Sequence, residues 1–211
     1  LTIEILSNIA QYKKVLFFNF EMGDRRIASR FTKTLLTEEA RKNMLIHNSD
    51  RELSHIVNEI KAAAKKGIKF FGIDSKMKIE VSDEKDDHKK FSKISATFSK
   101  LTQENEIIIL LINQMSEDDD KNNRLAFKGS GDQLYDTDIA LFYLVDKEQN
   151  RTLHCRKNRQ DEENFTIHTR LNEYGKTVDD GTRVKTVHQN KSGGYVAPQA
   201  VQEHVYDMSK I

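Results

Sequence analysis

Apolar and polar positions along the chain switch between two periods. Over Thr2–Tyr12, the residues Ile3, Leu6, Ile9 and Ala10 recur at helical spacing and predict an amphipathic helix. Lys13-Lys14 gives way to Val15-Leu16-Phe17-Phe18-Asn19-Phe20, a nearly continuous apolar run of the kind found in strands buried on both faces. Helical spacing returns over Asp24–Leu36 through Ile27, Phe31 and Leu35, and Met44-Leu45-Ile46-His47 predicts a short strand. Asn48-Ser49-Asp50 forms an N-cap cluster ahead of a stripe of Leu53, Ile56, Val57 and Ile60 that closes near Gly67. Ile68–Asp74 is the next predicted strand, and the charge run Ser82–Lys90 predicts a solvated loop. Phe91, Ile94, Phe98 and Leu101 then fall in helical register over Phe91–Glu104, and Ile107–Ile112 is the strongest strand signal in the chain.

Strands of this apolar type alternating with helices predict a parallel sheet covered on both faces. Beyond Gly131 the pattern changes. Ile139–Val145, Thr152–Lys157 and Phe165–Leu171 predict strands separated by short polar turns, hence antiparallel hairpins added to the parallel sheet toward the C-terminus. After Tyr174 the apolar density drops and Gly193-Gly194 interrupts the chain, which predicts a peripheral tail or docking arm. The expected division is therefore a core over residues 1–172 and a C-terminal extension over 173–211. No internal repeat of 20 to 50 residues is present.

Composition narrows the functional classes. Length, at 211 residues, suits one full domain. Lys+Arg 34 against Asp+Glu 33 leaves a net charge of +1, so no global basic field advertises a nucleic-acid partner. The single cysteine, Cys155, excludes a disulfide framework and a cysteine-based zinc site, and is expected to be a buried hydrophobe. Seven histidines show no metal-ligand spacing, and Lys61–Lys66 reads as a solvated helix end. No apolar run approaches the roughly 20 residues that span a bilayer, and no signal peptide is visible, so a cytoplasmic protein without a membrane partner is expected. Residue 1 is Leu rather than Met, so it is not expected to be the natural start.

Three predicted strands run into a polar residue able to do chemistry: Val15–Phe20 into Glu21, Ile68–Ile73 into Asp74, and Ile107–Asn113 into Gln114. In open parallel sheets, ligands bind at the carboxyl ends of the strands, where these three would share one edge. A carboxylate for a metal shell, a second to take a proton from water and an amide to sense an anion make a nucleotide-hydrolysis set. Strands also end in polar residues simply because they leave the core there.

The same segments resemble, in order, the RecA-like ATPase domain of DnaB-type replicative helicases. Val15–Met22 is similar to that family's strand ending in Glu-Met, and Gly23–Phe31 to its next helix. Phe70–Asp74 resembles its Walker B strand, and Ile94–Leu101 followed by Ile107–Gln114 its long helix and Gln-ending strand. Lys128–Asp138 resembles its Ser-Gly plus Asp-Ala-Asp segment, and Arg156-Lys157-Asn158-Arg159 its Lys-x-Arg finger. The resemblance implies a RecA-like fold binding ATP and Mg²⁺, with Glu21 as general base and Asp74 holding Mg²⁺ through water. It further implies Gln114 as γ-phosphate sensor, and Lys157 and Arg159 as a finger reaching a neighbouring subunit of a hexameric ring. The family's single-stranded DNA loop falls on Ser116–Arg124, where Lys121, Arg124 and the following Lys128 are the candidate phosphate contacts.

The chain departs from the family in three places. No G-x-x-x-x-G-K-[ST] occurs in it. Leu1–Ala10 matches the helix after that motif, so the motif is expected immediately upstream of Leu1 or is lost. The loop after Gln114 carries Glu117-Asp118-Asp119-Asp120, which repels phosphate and reads more readily as a solvated loop. The Glu21–Asp74 interval is short, and Ser75-Lys76-Met77 stands where the family has an aromatic and a Leu. Two rivals to the helicase therefore stand: a RecA-fold paralogue without hydrolysis serving as an interaction or regulatory module, and a RecA-fold ring ATPase with a target other than DNA.

Overall fold

The protein is known as a computed structural model, which describes residues 1–34, 37–115, 133–160, 165–173 and 175–185. The chain divides into two compact units. The first comprises Leu1–Ser116 and Phe127–Asp136, the second Glu117–Ala126 and Thr137–Ile211.

The first unit is an α/β layer structure. Its elements are α1 (Thr2–Ala10), β1 (Val15–Asn19), α2 (Asp24–Thr34), α3 (Glu38–Asn43), β2 (Met44–His47), α4 (Leu53–Lys65), β3 (Phe70–Asp74), a 3₁₀ turn (Lys76–Lys78), α5 (Asp87–Asn105), β4 (Ile108–Leu111) and α6 (Gln133–Asp136). The four strands are parallel in the order β2-β1-β3-β4, with Phe17 opposite Gly72 and Asn19 opposite Asp74. Successive side chains of a strand point to opposite faces, and β1 is buried at every position. Val15 and Phe17 join Ile3, Leu6, Ile27, Phe31 and Ala40, so α1, α2 and α3 cover one face. Leu16 and Phe18 join Leu53, Ile56, Ile60, Phe91, Ile94 and Phe98, so α4 and α5 cover the other.

Glycine is favoured at position 72, because a Cβ there would lie 2.5 Å from a Leu6 methyl and 3.0 Å from the Phe17 ring, so those side chains would have to shift. Helix α4 is followed by Gly67, whose φ of +86° lets the Ile68 amide reach back to the Ala63 carbonyl at 3.1 Å.

Two helices differ from the expectation. The charge run Ser82–Lys90 is loop only in its first half. Asp86 caps α5 by accepting from the Lys89 amide at 2.9 Å, and Asp87 lies in the first turn, where acidic residues favour a helix N-terminus. Helix α3, absent from the sequence reading, starts at Thr37, whose hydroxyl accepts from the Ala40 amide. Asn43 then donates to the Ala10 carbonyl at 2.9 Å and ties α3 to the end of α1. Among the described residues, β4 is an edge strand, and its Ile108 is 60% exposed, less buried than its apolar run predicts.

The second unit is a four-stranded antiparallel sheet of β5 (Ile139–Val145), β6 (Arg151–Asn158), β7 (Phe165–Leu171) and β8 (Thr177–Lys185), in that order. This corrects two expectations. The antiparallel strands make a sheet of their own instead of extending the parallel one, and the tail assigned from residue 173 begins with a strand paired to β7. Strand β8 hides in the sequence because it is a polar edge strand, with Asp179, Asp180 and Gly181 at its middle and a register shift opposite them. Cys155 is buried, as expected. Among the described residues, no helix is long and apolar enough to cross a membrane.

Candidate functional site

The strand order creates a crevice. From β1 the chain passes through α2 and α3 on one face to β2, then returns through α4 on the opposite face to β3, on the other side of β1. Connections leaving β1 and β3 therefore depart toward opposite faces, and the gap at their carboxyl ends is where such sheets take ligands. Glu21 and Asp74 stand at that gap. Asp74 is the last residue of β3, and Glu21 follows β1 by two residues.

The local backbone is fixed by hydrogen bonds on both sides of Glu21. The Phe20 amide donates to the Asp74 carbonyl at 2.6 Å. The buried Asn19 side chain accepts from the Met22 amide at 3.1 Å and donates to the Met22 carbonyl at 2.6 Å, closing a small loop around Glu21. The Ser75 hydroxyl donates to Glu21 Oε1 at 2.8 Å, joining the two strand ends through side chains. The Lys76 amide donates to the Ile112 carbonyl at 2.9 Å and ties the same turn to the end of β4. The Asp74–Ser75 peptide is cis.

Electrostatics concentrate negative charge here. Burial raises the Asp74 carboxyl above its ordinary value, the neighbouring Glu21 charge pushes in the same direction, and Arg30 on α2 pulls it partly back. Two carboxylates are too few for an all-protein cage. They do suit Mg²⁺, which keeps several waters and takes its remaining ligands from substrate phosphates. Among the described residues, no group of three or more His, Cys, Asp or Glu is placed to hold a metal.

Just behind the site, Lys76 is almost wholly buried. Its Nζ donates to Ser95 Oγ on α5 at 2.6 Å and lies 5.6 Å from the centroid of the Phe91 ring. Burial pulls this ammonium down to about 7, against an upward pull from Asp136 on α6.

The structure thus brings Glu21 and Asp74 together. Gln114 follows β4 at the same edge of the sheet and is exposed, its backbone N–H donating to Asn113 Oδ1. Lys157 and Arg159 belong to the second unit, at the end of β6, where Arg159 pairs with Asp138 at 2.9 Å. Lys121, Arg124 and Lys128 lie outside the described residues. Ser75 and Arg30 act at this site without being among the sequence-predicted residues. A hydroxyl directly after a strand-terminal Asp, on the edge that also carries Glu21, was the available signal. Neither protein-family models nor curated proteins give a match to this chain.

Proposed function

We propose that the chain is the RecA-like ATPase motor domain of a DnaB-like hexameric DNA helicase, coupling ATP hydrolysis to translocation on single-stranded DNA. The observation that carries this reading is the placing of Glu21 and Asp74 as neighbouring carboxylates at the carboxyl ends of adjacent parallel strands, where the chain changes faces. Glu21 is the exposed carboxylate of the two and serves as the base that orients the attacking water. Asp74 is half-buried and would hold Mg²⁺ through water, which would supply charge neutralisation on the phosphate oxygens. Gln114 leaves the neighbouring strand toward the terminal phosphate. Lys157 and Arg159 act on the nucleotide of an adjacent subunit. Arg159 must then give up Asp138, which costs little because both partners of that pair are about half exposed. Lys121, Arg124 and Lys128 are the proposed contacts to single-stranded DNA, with affinity that falls as salt rises.

The test is Mg²⁺-dependent ATP hydrolysis by the full-length gene product, with and without single-stranded DNA. Hydrolysis stimulated by DNA supports the motor. Hydrolysis indifferent to DNA points to the ring ATPase with another target, and nucleotide binding without turnover to the non-hydrolysing module.

A further inference from the structure

Resting on the hydrolytic reading of this site, we infer that Ser75 is the positioning residue for Glu21, holding one carboxylate oxygen so that the other faces the reacting water. Glu21 needs such a partner. It is exposed and lies beyond the last residue of β1, so no strand packing fixes its side chain. The Asn19–Met22 loop and the Phe20–Asp74 hydrogen bond fix its backbone only. Among the described residues, Ser75 is the one whose side chain hydrogen-bonds to the Glu21 carboxylate.

Ser75 is built for this task. It is 2% exposed, and its own backbone is held between β3 and the Lys76–Ile112 hydrogen bond, so its hydroxyl has little freedom. A serine hydroxyl has one proton to donate, and here the acceptor is Glu21 Oε1 at 2.8 Å. A hydrogen bond to an ionised carboxylate is stronger than a neutral one, enough to select one rotamer of a flexible side chain. One lone pair of Oε1 is thereby engaged, which leaves Oε2 the more open oxygen to accept from water. The partners are 54 residues apart in the chain, so this contact also carries the β1 end and the β3 end as one piece. A base held this way gains rate through orientation, where a displacement of about 1 Å costs on the order of a hundredfold.

Two measurements test the assignment. The first uses the protein without nucleotide. Scalar couplings of the Glu21 side-chain methylenes report a single rotamer in the wild type, rotamer averaging in Ser75→Ala, and the single rotamer again in Ser75→Thr, which keeps the hydroxyl. The second uses the full-length gene product. Ser75→Ala lowers kcat roughly ten- to a hundredfold with KM for ATP within about twofold, and Ser75→Thr recovers most of the loss. An unchanged Glu21 rotamer distribution in Ser75→Ala, or wild-type turnover in that variant beside an inactive Glu21→Gln, would overturn the assignment while leaving the hydrolytic reading intact. A single rotamer lost in Ser75→Ala, in a gene product that never hydrolyses ATP, would uphold the contact and reject the hydrolytic reading on which its catalytic purpose depends.

Discussion

Lys76→Met isolates the energetic consequence of a lysine buried behind the strand ends. Lys76 is 1% exposed, its amine contacts Ser95 Oγ and faces the Phe91 ring, and its pKa falls from 10.5 to about 7. An unfolded chain holds this proton up to about pH 10.5, whereas the folded chain releases it above about pH 7. Between these limits the unfolded state binds more protons, so stability rises with pH at about 1.4 kcal/mol per unit. Across two pH units inside the window, Lys76 alone contributes a rise of roughly 2–3 kcal/mol. Met preserves length and apolar contact but cannot titrate, so the variant lacks that rise. The excess stability of Lys76→Met over wild type is then greatest near pH 7 and shrinks by roughly 2–3 kcal/mol by pH 9.5. Urea unfolding of both proteins at half-unit steps from pH 7 to 9.5 gives the two curves. Parallel curves would refute the reasoning, because every other titrating group is common to both proteins. Asp136→Asn removes the charge that supports the ammonium, so it moves the onset of the wild-type rise to lower pH.

Three other substitutions probe the scaffold and the site. Gly72→Ala pushes a methyl into Leu6 and Phe17 and destabilises the first unit by about 1–3 kcal/mol in chemical denaturation. Leu6→Ala in the same chain makes the double loss smaller than the sum of the single ones, and strict additivity would place the clash elsewhere. Asp74→Asn removes one of two repelling carboxylates. The raised Asp74 pKa makes wild-type stability fall as pH climbs above 3.8 through the native value, so the variant is the more stable protein at pH 7 by thermal melting, and equal or lower stability counts against the repulsion. Arg159→Ala lowers ATP turnover of the assembled full-length product by as much as several powers of ten, and mixing it with Glu21→Gln subunits restores part of it. Failure to complement argues against a finger acting between subunits.

The legible parts of the fold are those where burial imposes a period. Phe17 and Phe18 face opposite layers, so β1 is apolar at consecutive positions, and the Ile3–Leu6–Ala10 and Ile56–Ile60 stripes carry the helical repeat. Glu21 and Asp74 were legible because a charged residue directly after such a run marks where a strand leaves the core. Helix α3 was not, because it buries only Ala40 and Asn43 and leaves no stripe. The onset of α5 was hidden by the acids that cap it. Strand β8 was hidden because an edge strand needs no apolar face. The separateness of the antiparallel sheet depends on which strand edges pair, and no local pattern states that. Ser75 and Lys76 were missed because a lone serine has no period and a lysine reads as solvated, although both are almost fully buried.

The account turns on Glu21 and Asp74 working on one terminal phosphoryl group. Glu21→Gln in the full-length gene product, compared with wild type for both ATP binding and Mg²⁺-dependent phosphate release, tests this most directly. Retained binding with phosphate release abolished is the predicted result, and phosphate release at the wild-type rate contradicts it.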